Sequence, residues 1–223
     1  MLPLKAASPR DPGMMKRVVE PEILDALDPH KPEAIRSRHD LRLINFLMGN
    51  ERWILTQVAA HPGSAAKGIT ELGAGSGELL GKLARLGAVT GYDLLPRPPR
   101  LPVSVVWRQG DLWRDSDQIR GGILVASLFL HHWQPDELLR LGVLAERFEV
   151  LVFVEPLRTS AAVKLGSCLL PFVGDVTKHD MMVSIRAGFV AGELPELLGL
   201  SDQWKISEQS DWRGGHRMLA SRV

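Results

Sequence analysis

Three glycines at alternate positions, Gly73, Gly75 and Gly77, follow Glu71 and precede Glu78. Ile69-Thr70-Glu71-Leu72 has the composition of a short buried strand, and Glu78-Leu79-Leu80 that of a helix start. Bare backbone in a tight strand-to-helix turn lets a flat ligand lie against the chain, at the carboxyl end of a strand. Dinucleotide sites usually space their glycines G-x-G-x-x-G and rest the pyrophosphate on the helix N-terminus. Here the spacing is G-x-G-x-G, and Glu78 stands where the third glycine of that pattern would be. A carboxylate there suits the helix dipole but repels a pyrophosphate. A ligand with positive charge and no phosphate fits better. S-adenosylmethionine (SAM), with its sulfonium and ammonium, is such a ligand.

Two further acids fall at the ends of strand-like segments. Val89-Thr90-Gly91-Tyr92-Asp93 ends in an acid about 20 residues past the first loop glycine, the distance at which a carboxylate meets ribose hydroxyls in βαβ nucleotide sites. Val105 to Asp111 reads as a third strand; Asp111 is placed to accept a hydrogen bond from an adenine amino group, with Leu112 packing on the ring. For each acid alone, a capping or solvated carboxylate is the competing reading.

A fourth strand, Gly122 to Ser127, leads into Ser127-Leu128-Phe129-Leu130-His131-His132-Trp133. Methyl transfer from a sulfonium is an in-line displacement in which nucleophile, carbon and sulfur are held in a row with water excluded; it requires no metal. A phenol, with a pKa of about 10, gains from a base or a cationic neighbour. His131 and His132 are therefore candidates to take the proton or orient the acceptor oxygen. On an extended stretch adjacent side chains point opposite ways, so one at most faces the ligand. His179 with Asp180 is a second candidate pair, against a solvated loop charge pair. Glu155 reads as a turn cap or a ligand contact. Arg42 and Asn45 read as ordinary helix surface or as reaching the SAM carboxylate, and His39 as a surface or partly buried residue.

Residues from about 65 to 155 resemble the class I SAM-dependent methyltransferases, with that family's motifs in order. Glu71 to Gly77 looks like the first motif, Asp93 the ribose acid, Gly110-Asp111 the adenine contact, and Ser127 to Trp133 the segment beside the reactive methyl. The resemblance implies a cofactor-binding set of Glu71, Gly73, Ala74, Gly75, Gly77, Asp93, Leu94, Asp111, Leu112 and Ser127. Glu22-Ile23-Leu24-Asp25, Leu41 to Asn45 and Lys178-His179-Asp180 are similar to bacterial methyltransferases found with type III polyketide synthases. That likeness implies O-methylation of a phenolic or quinol oxygen. Small-molecule C- or N-methylation, or SAM binding without transfer, stay open beside it; a nicotinamide oxidoreductase is more distant.

The elements that must position these residues alternate. From Lys67 onward strand and helix patterns succeed one another, as in a parallel sheet covered on both faces. The fold class expected is α/β, a Rossmann-like doubly wound sheet of seven strands. It is mostly parallel, with a C-terminal antiparallel hairpin from Gln203–Glu208 and His216–Ser221, plus an N-terminal helical cap. Residues 1–62 form a tail and cap, the tail being 1–17; residues 63–223 form the core, with a lid-like insertion around 157–189. That insertion serves either as a roof over an apolar pocket or as core packing. Pro29 and Pro32 suit a first helical turn, and Gly49-Asn50 interrupts the cap helices.

Composition narrows the partners. A net charge of +1 and no basic stripe disfavour nucleic acid, as does the absence of an Asn/Asp-Pro-Pro-aromatic turn after the fourth strand. Phe129, Leu130 and Trp133 suit a small apolar acceptor. The single Cys168 lies in an apolar run, reads as an inert core thiol, and is compatible with a reducing cytoplasm. No signal peptide or transmembrane segment is expected, nor integral membrane association. The oligomeric state is left open.

Overall fold

The computed structural model describes residues 15–28, 30–114 and 116–223, so most of the expected tail, and Pro29, lie outside the described residues. Seven strands form one sheet: β1 (Ile69–Leu72), β2 (Val89–Asp93), β3 (Val106–Gln109), β4 (Ile123–Ser127), β5 (Val150–Pro156), β6 (Trp204–Ser210) and β7 (Gly215–Arg222). Their order is β3-β2-β1-β4-β5-β7-β6, with β7 antiparallel to both neighbours and every other pair parallel. The expected α/β class, seven strands and terminal hairpin are all present. The central strands read as continuous apolar runs because helices cover both faces; every residue of β1 and β5 is buried.

The helices are α1 (Ile23–Ala26), α2 (Pro32–Met48), α3 (Asn50–Ala59), α4 (Pro62–Ala66), α5 (Glu78–Leu83), α6 (Pro135–Ala145), α7 (Ser160–Leu169), α8 (Asp175–Ala187) and α9 (Glu193–Leu198). Pro32 opens α2, and Gly49, left-handed at φ 68°, ends it and starts α3. Pro135 opens α6, where Glu137 accepts the Gln134 N–H at 2.9 Å.

One core lies between the sheet and helices α3 and α5, built from Ile54, Val58, Leu80, Val125 and Val152 among others. The other lies beneath α6 and α9, around Leu138, Leu141, Leu198, Leu124 and Phe153. Strand alternation sends neighbouring residues of β4 and β5 to opposite cores. A smaller cluster joins Ala162 of α7 to Met181 and Ile185 of α8, with Ile44 of α2 against it.

Three sequence expectations are corrected. Cys168 is exposed, because α7 buries Ala162 and Gly166, packs Val163 and Leu169 partly against the same cluster, and leaves Cys168 on its open side. His179 and Asp180 lie in a helix, not a loop, and Asp180 is completely buried. The tail also ends sooner than expected. Arg17 donates from Nε to the Ala187 carbonyl at 2.8 Å, and from Nη2 to the carbonyls of His131 (3.1 Å) and Trp133 (2.9 Å).

Candidate active site

The glycine loop leaves β1 where chain order reverses: β2 and β3 lie to one side of β1, β4 and β5 to the other. Open α/β sheets bind ligands in the crevice above such a point. Gly73, Gly75 and Gly77 all have positive φ, at 64°, 50° and 72°. At Gly73 a methyl group would also sit 2.2 Å from the Phe129 ring. Ala74 is buried in the α5-side core and anchors the loop.

Beside this loop, Glu71 is buried, and its Oε2 atom has no hydrogen-bond partner among the described residues. Burial, then the charges of Asp93 and Glu51, push its carboxyl well above the usual range. Asp93 faces the loop. Its Oδ2 accepts the Gly75 N–H at 2.7 Å and its Oδ1 the Leu95 N–H at 2.8 Å, so it fixes the turn as well as lining it. Leu94 next to it is exposed. Asp111 is also exposed and accepts the Trp113 N–H at 2.9 Å. Leu112 is buried among the α6-side core residues. Ser127 ends β4 and is partly buried. Glu78 pairs with Arg42 of α2 at 3.5 Å, which links α2 to the end of the loop.

The segment after β4 forms a turn of 3₁₀ helix, Leu130–His132, with Leu128 ahead of it at φ 52°. Leu128 alone among the described non-glycine residues has a positive φ. A branched side chain held there stores strain at the rim of the cleft. The expectation that His131 and His132 point apart is overturned: the tight turn places both rings together, centroids 4.2 Å apart and 34° between planes.

Glu155, at the end of β5, caps this turn. Its Oε1 accepts the N–H groups of Phe129 (3.1 Å) and Leu130 (2.8 Å). Its Oε2 accepts the His131 N–H (3.2 Å) and the His131 Nδ1–H (2.8 Å). On the other side of that ring, Glu22 Oε1 lies 3.5 Å from Nε2. Burial would lower the His131 pKa, but the hydrogen bond to Glu155 and the nearby Glu22 carboxylate prevail and raise it to about 9. His132 is brought down to about 4 by burial and by the charge on His131. Its Nδ1 lies 3.7 Å from Asp25 Oδ2. Partial desolvation, followed by the charges of Glu22 and Asp180, pushes Asp25 up to about 6, although most of its side chain is exposed.

Glu22 and Asp25 are delivered by α1 and the residue before it. That short helix is held down by Asp180, which accepts the N–H groups of Ile23 (2.8 Å) and Leu24 (3.0 Å). His179 Nδ1 meets Asp180 at 3.0 Å and is half exposed. The residues quoted from three distant parts of the sequence, 22–25, 131–132 and 179–180, thus meet in one cluster. Asn45 has a buried Oδ1 without a hydrogen-bond partner among the described residues, at odds with an ordinary helix surface.

No protein-family model matches the chain, and no curated protein does. Solved structures do. The plantazolicin methyltransferase BamL, solved with a triazolic desmethylPZN analog and SAH, superposes with a TM-score of 0.66 at 9% identity. It covers 87% of this chain and 92% of its own. Human N-acetylserotonin methyltransferase, solved with SAM, gives 0.56 at 14% identity, over 89% of this chain and 61% of that one. An O-methyltransferase family protein from Burkholderia thailandensis gives 0.54 at 15% identity, over 88% and 64%. At these identities the likeness establishes the fold: this chain has the Rossmann-like methyltransferase architecture with a C-terminal antiparallel hairpin.

Proposed function

We propose that the chain is a SAM-dependent methyltransferase whose acceptor is a small, largely apolar molecule, with a phenolic or quinol oxygen of a polyketide-type metabolite as the site methylated. The observation that carries the cofactor is the orphaned carboxylate oxygen of Glu71, buried beside three left-handed glycines at the switch point of the sheet. A buried unpaired acid is costly unless a ligand satisfies it, and a cation does so where a phosphate cannot. The site therefore fits the group. Glu71 and the backbone of Gly73, Ala74, Gly75 and Gly77 would hold it, with Asp93, Leu94, Asp111, Leu112 and Ser127 at the ribose and adenine side. Bound there, the cofactor supplies an electrophilic methyl group.

The chain's own residues do the rest. Phe129 and Trp133, edge to face at 5.0 Å, offer an apolar wall to the acceptor. Glu155 and Glu22 fix the His131 ring, and His132 sits beside it, so that either imidazole can orient the acceptor oxygen or its proton. His179 supports the same cluster through Asp180. Helices α2, α7 and α8 would roof the pocket. The likeness of the 22–25, 41–45 and 178–180 segments to methyltransferases found with type III polyketide synthases supports the phenolic class, as does the apolar wall.

The test is calorimetric first: SAM and its demethylated product should bind, and NADH should not. Turnover with alkylresorcinols or hydroxyquinones then separates an enzyme from a binder. Tight NADH binding without SAM binding overturns the reading.

A further inference from the structure

The reactive end carries more negative charge than its histidines balance. Glu22 and Asp25 find only His131 and His132 as ion-pair partners among the described residues. Two carboxylates beside an acceptor hydroxyl oppose the oxyanion that methylation of a phenol requires. Glu155 is saturated by three backbone N–H groups and the Nδ1–H of His131. It therefore holds that ring in one orientation. The opposite nitrogen, Nε2, is buried, has no hydrogen-bond partner among the described residues, and faces Glu22. Ser184 donates its hydroxyl to Glu22 Oε1, fixing that carboxylate in turn.

One potential ligand atom from each of Glu22, His131 and His132 lies within 4.8 Å of the others. A four-coordinate ion with bonds of about 2.0–2.2 Å wants its ligands roughly 3.4 Å apart. The Glu22–His131 separation of 3.5 Å already meets that. A small rotation of His132, whose side chain is 27% exposed, completes the set. A carboxylate gripping the far nitrogen of an imidazole, as Glu155 grips His131, is the recurrent support of a metal-bound histidine.

We propose that Glu22, His131 and His132 form a site for a divalent transition-metal ion, zinc by its ligand set, with one position left for the acceptor oxygen. The ion would sit between His131 Nε2 and Glu22 Oε1 and offset the charges of Glu22 and Asp25. A hydroxyl oxygen on the open position would lose its proton to water more readily. Only this role rests on the methyl-transfer reading; the binding site does not.

The test uses the full chain, stripped with a chelator and titrated with Co²⁺, followed by its visible absorption and by displacement with Zn²⁺. The expected result is one ion per chain with the intense spectrum of a four-coordinate site. Glu22→Gln and His132→Ala should each weaken binding by roughly tenfold or more, while His39→Ala, on the surface of α2, should not. Thermal melts of the two cluster variants confirm that they remain folded. A pale six-coordinate spectrum, or a four-coordinate one that survives both cluster substitutions, overturns the site. Calorimetry with S-adenosylhomocysteine on the same samples separates the two readings. Cofactor binding without cobalt binding removes the metal alone, and cobalt binding without cofactor binding removes the methyltransferase reading alone.

Discussion

The glycine loop and the histidine turn lie at the ends of neighbouring strands, yet they are built in opposite ways. Residues 71–78 form the loop from one continuous stretch, supported by the Tyr92 carbonyl, which accepts the Gly73 and Ala74 N–H groups, by Asp93 at Gly75, and by Arg42 at Glu78. The histidine turn is assembled from four separate parts of the chain. Arg17 holds its carbonyls, Glu22 and Asp25 face its rings, Glu155 caps its N–H groups, and Asp180 holds α1 in place. The loop is specified by backbone conformation, and the turn by buried charge. Damage to each should therefore read out differently.

The largest effect is expected at the turn. His131→Ala leaves Glu155 and Glu22 buried against a missing partner, and breaking such a pair costs about 3–5 kcal/mol. A thermal or denaturant melt should show that loss. At temperatures where the variant is still folded, its turnover should fall far more than its SAM affinity. A variant as stable as the parent would show that the charges are not coupled as the geometry implies.

Gly73→Ala attacks the loop. The added methyl meets Phe129 at 2.2 Å and the residue must hold a left-handed φ. Strain and overpacking together come to roughly 2–4 kcal/mol. Here the loss should appear as SAM affinity, measured by calorimetry, along with stability. Unchanged affinity would separate Gly73 from the cofactor.

Glu71→Gln acts on the loop through charge alone. Burial raises the folded-state pKa of Glu71 above its ordinary value of 4.5. The unfolded chain therefore releases this proton at lower pH than the folded one. The stability tied to the protonated form is fully present below about pH 4.5 and is lost as pH rises toward the folded value. Without cofactor, the glutamine variant should thus melt higher than the parent near neutral pH and alike in acid. It should also bind SAM more weakly. In the parent, SAM binding should release a proton, seen as a binding heat that varies with the ionisation heat of the buffer. An identical pH profile for both proteins would place the Glu71 carboxylate outside the titration.

The same contrast explains what could be read from the sequence. The strand order of charges and glycines was legible because each piece is local: apolar runs for β1, β4 and β5, alternate glycines for the turn, and an acid at a strand end. The pairing of His131 with His132 was not, because the period of an extended strand does not hold in a 3₁₀ turn, and nothing in Leu128 announces a positive φ. Arg17 looked like tail because its role is to satisfy carbonyls more than a hundred residues away. Asp180 looked like a loop acid because the helix N-terminus it caps lies 157 residues earlier. Cys168 looked buried because apolar composition alone does not say which face of α7 is covered. Buried charge networks join residues by distance in space, and a sequence shows that only when the partners happen to be close along the chain.

The smallest effect tests where the two regions meet. Arg42 of α2 reaches Glu78 at the start of α5, one of two ion pairs, with Glu51–Lys82, between the N-terminal helices and α5 among the described residues. Both side chains are about half exposed, so solvent screens the pair and Arg42→Ala should cost no more than about 0.5 kcal/mol of stability. If α2 roofs the cofactor, the substitution should speed SAM dissociation by about twofold to threefold, within the range expected of a weak surface pair, with little change in its association rate. Stopped-flow measurement of both rates decides it. An unchanged dissociation rate would leave the loop self-sufficient and confine the work of the cap to the histidine end, where α8 holds α1 through Asp180.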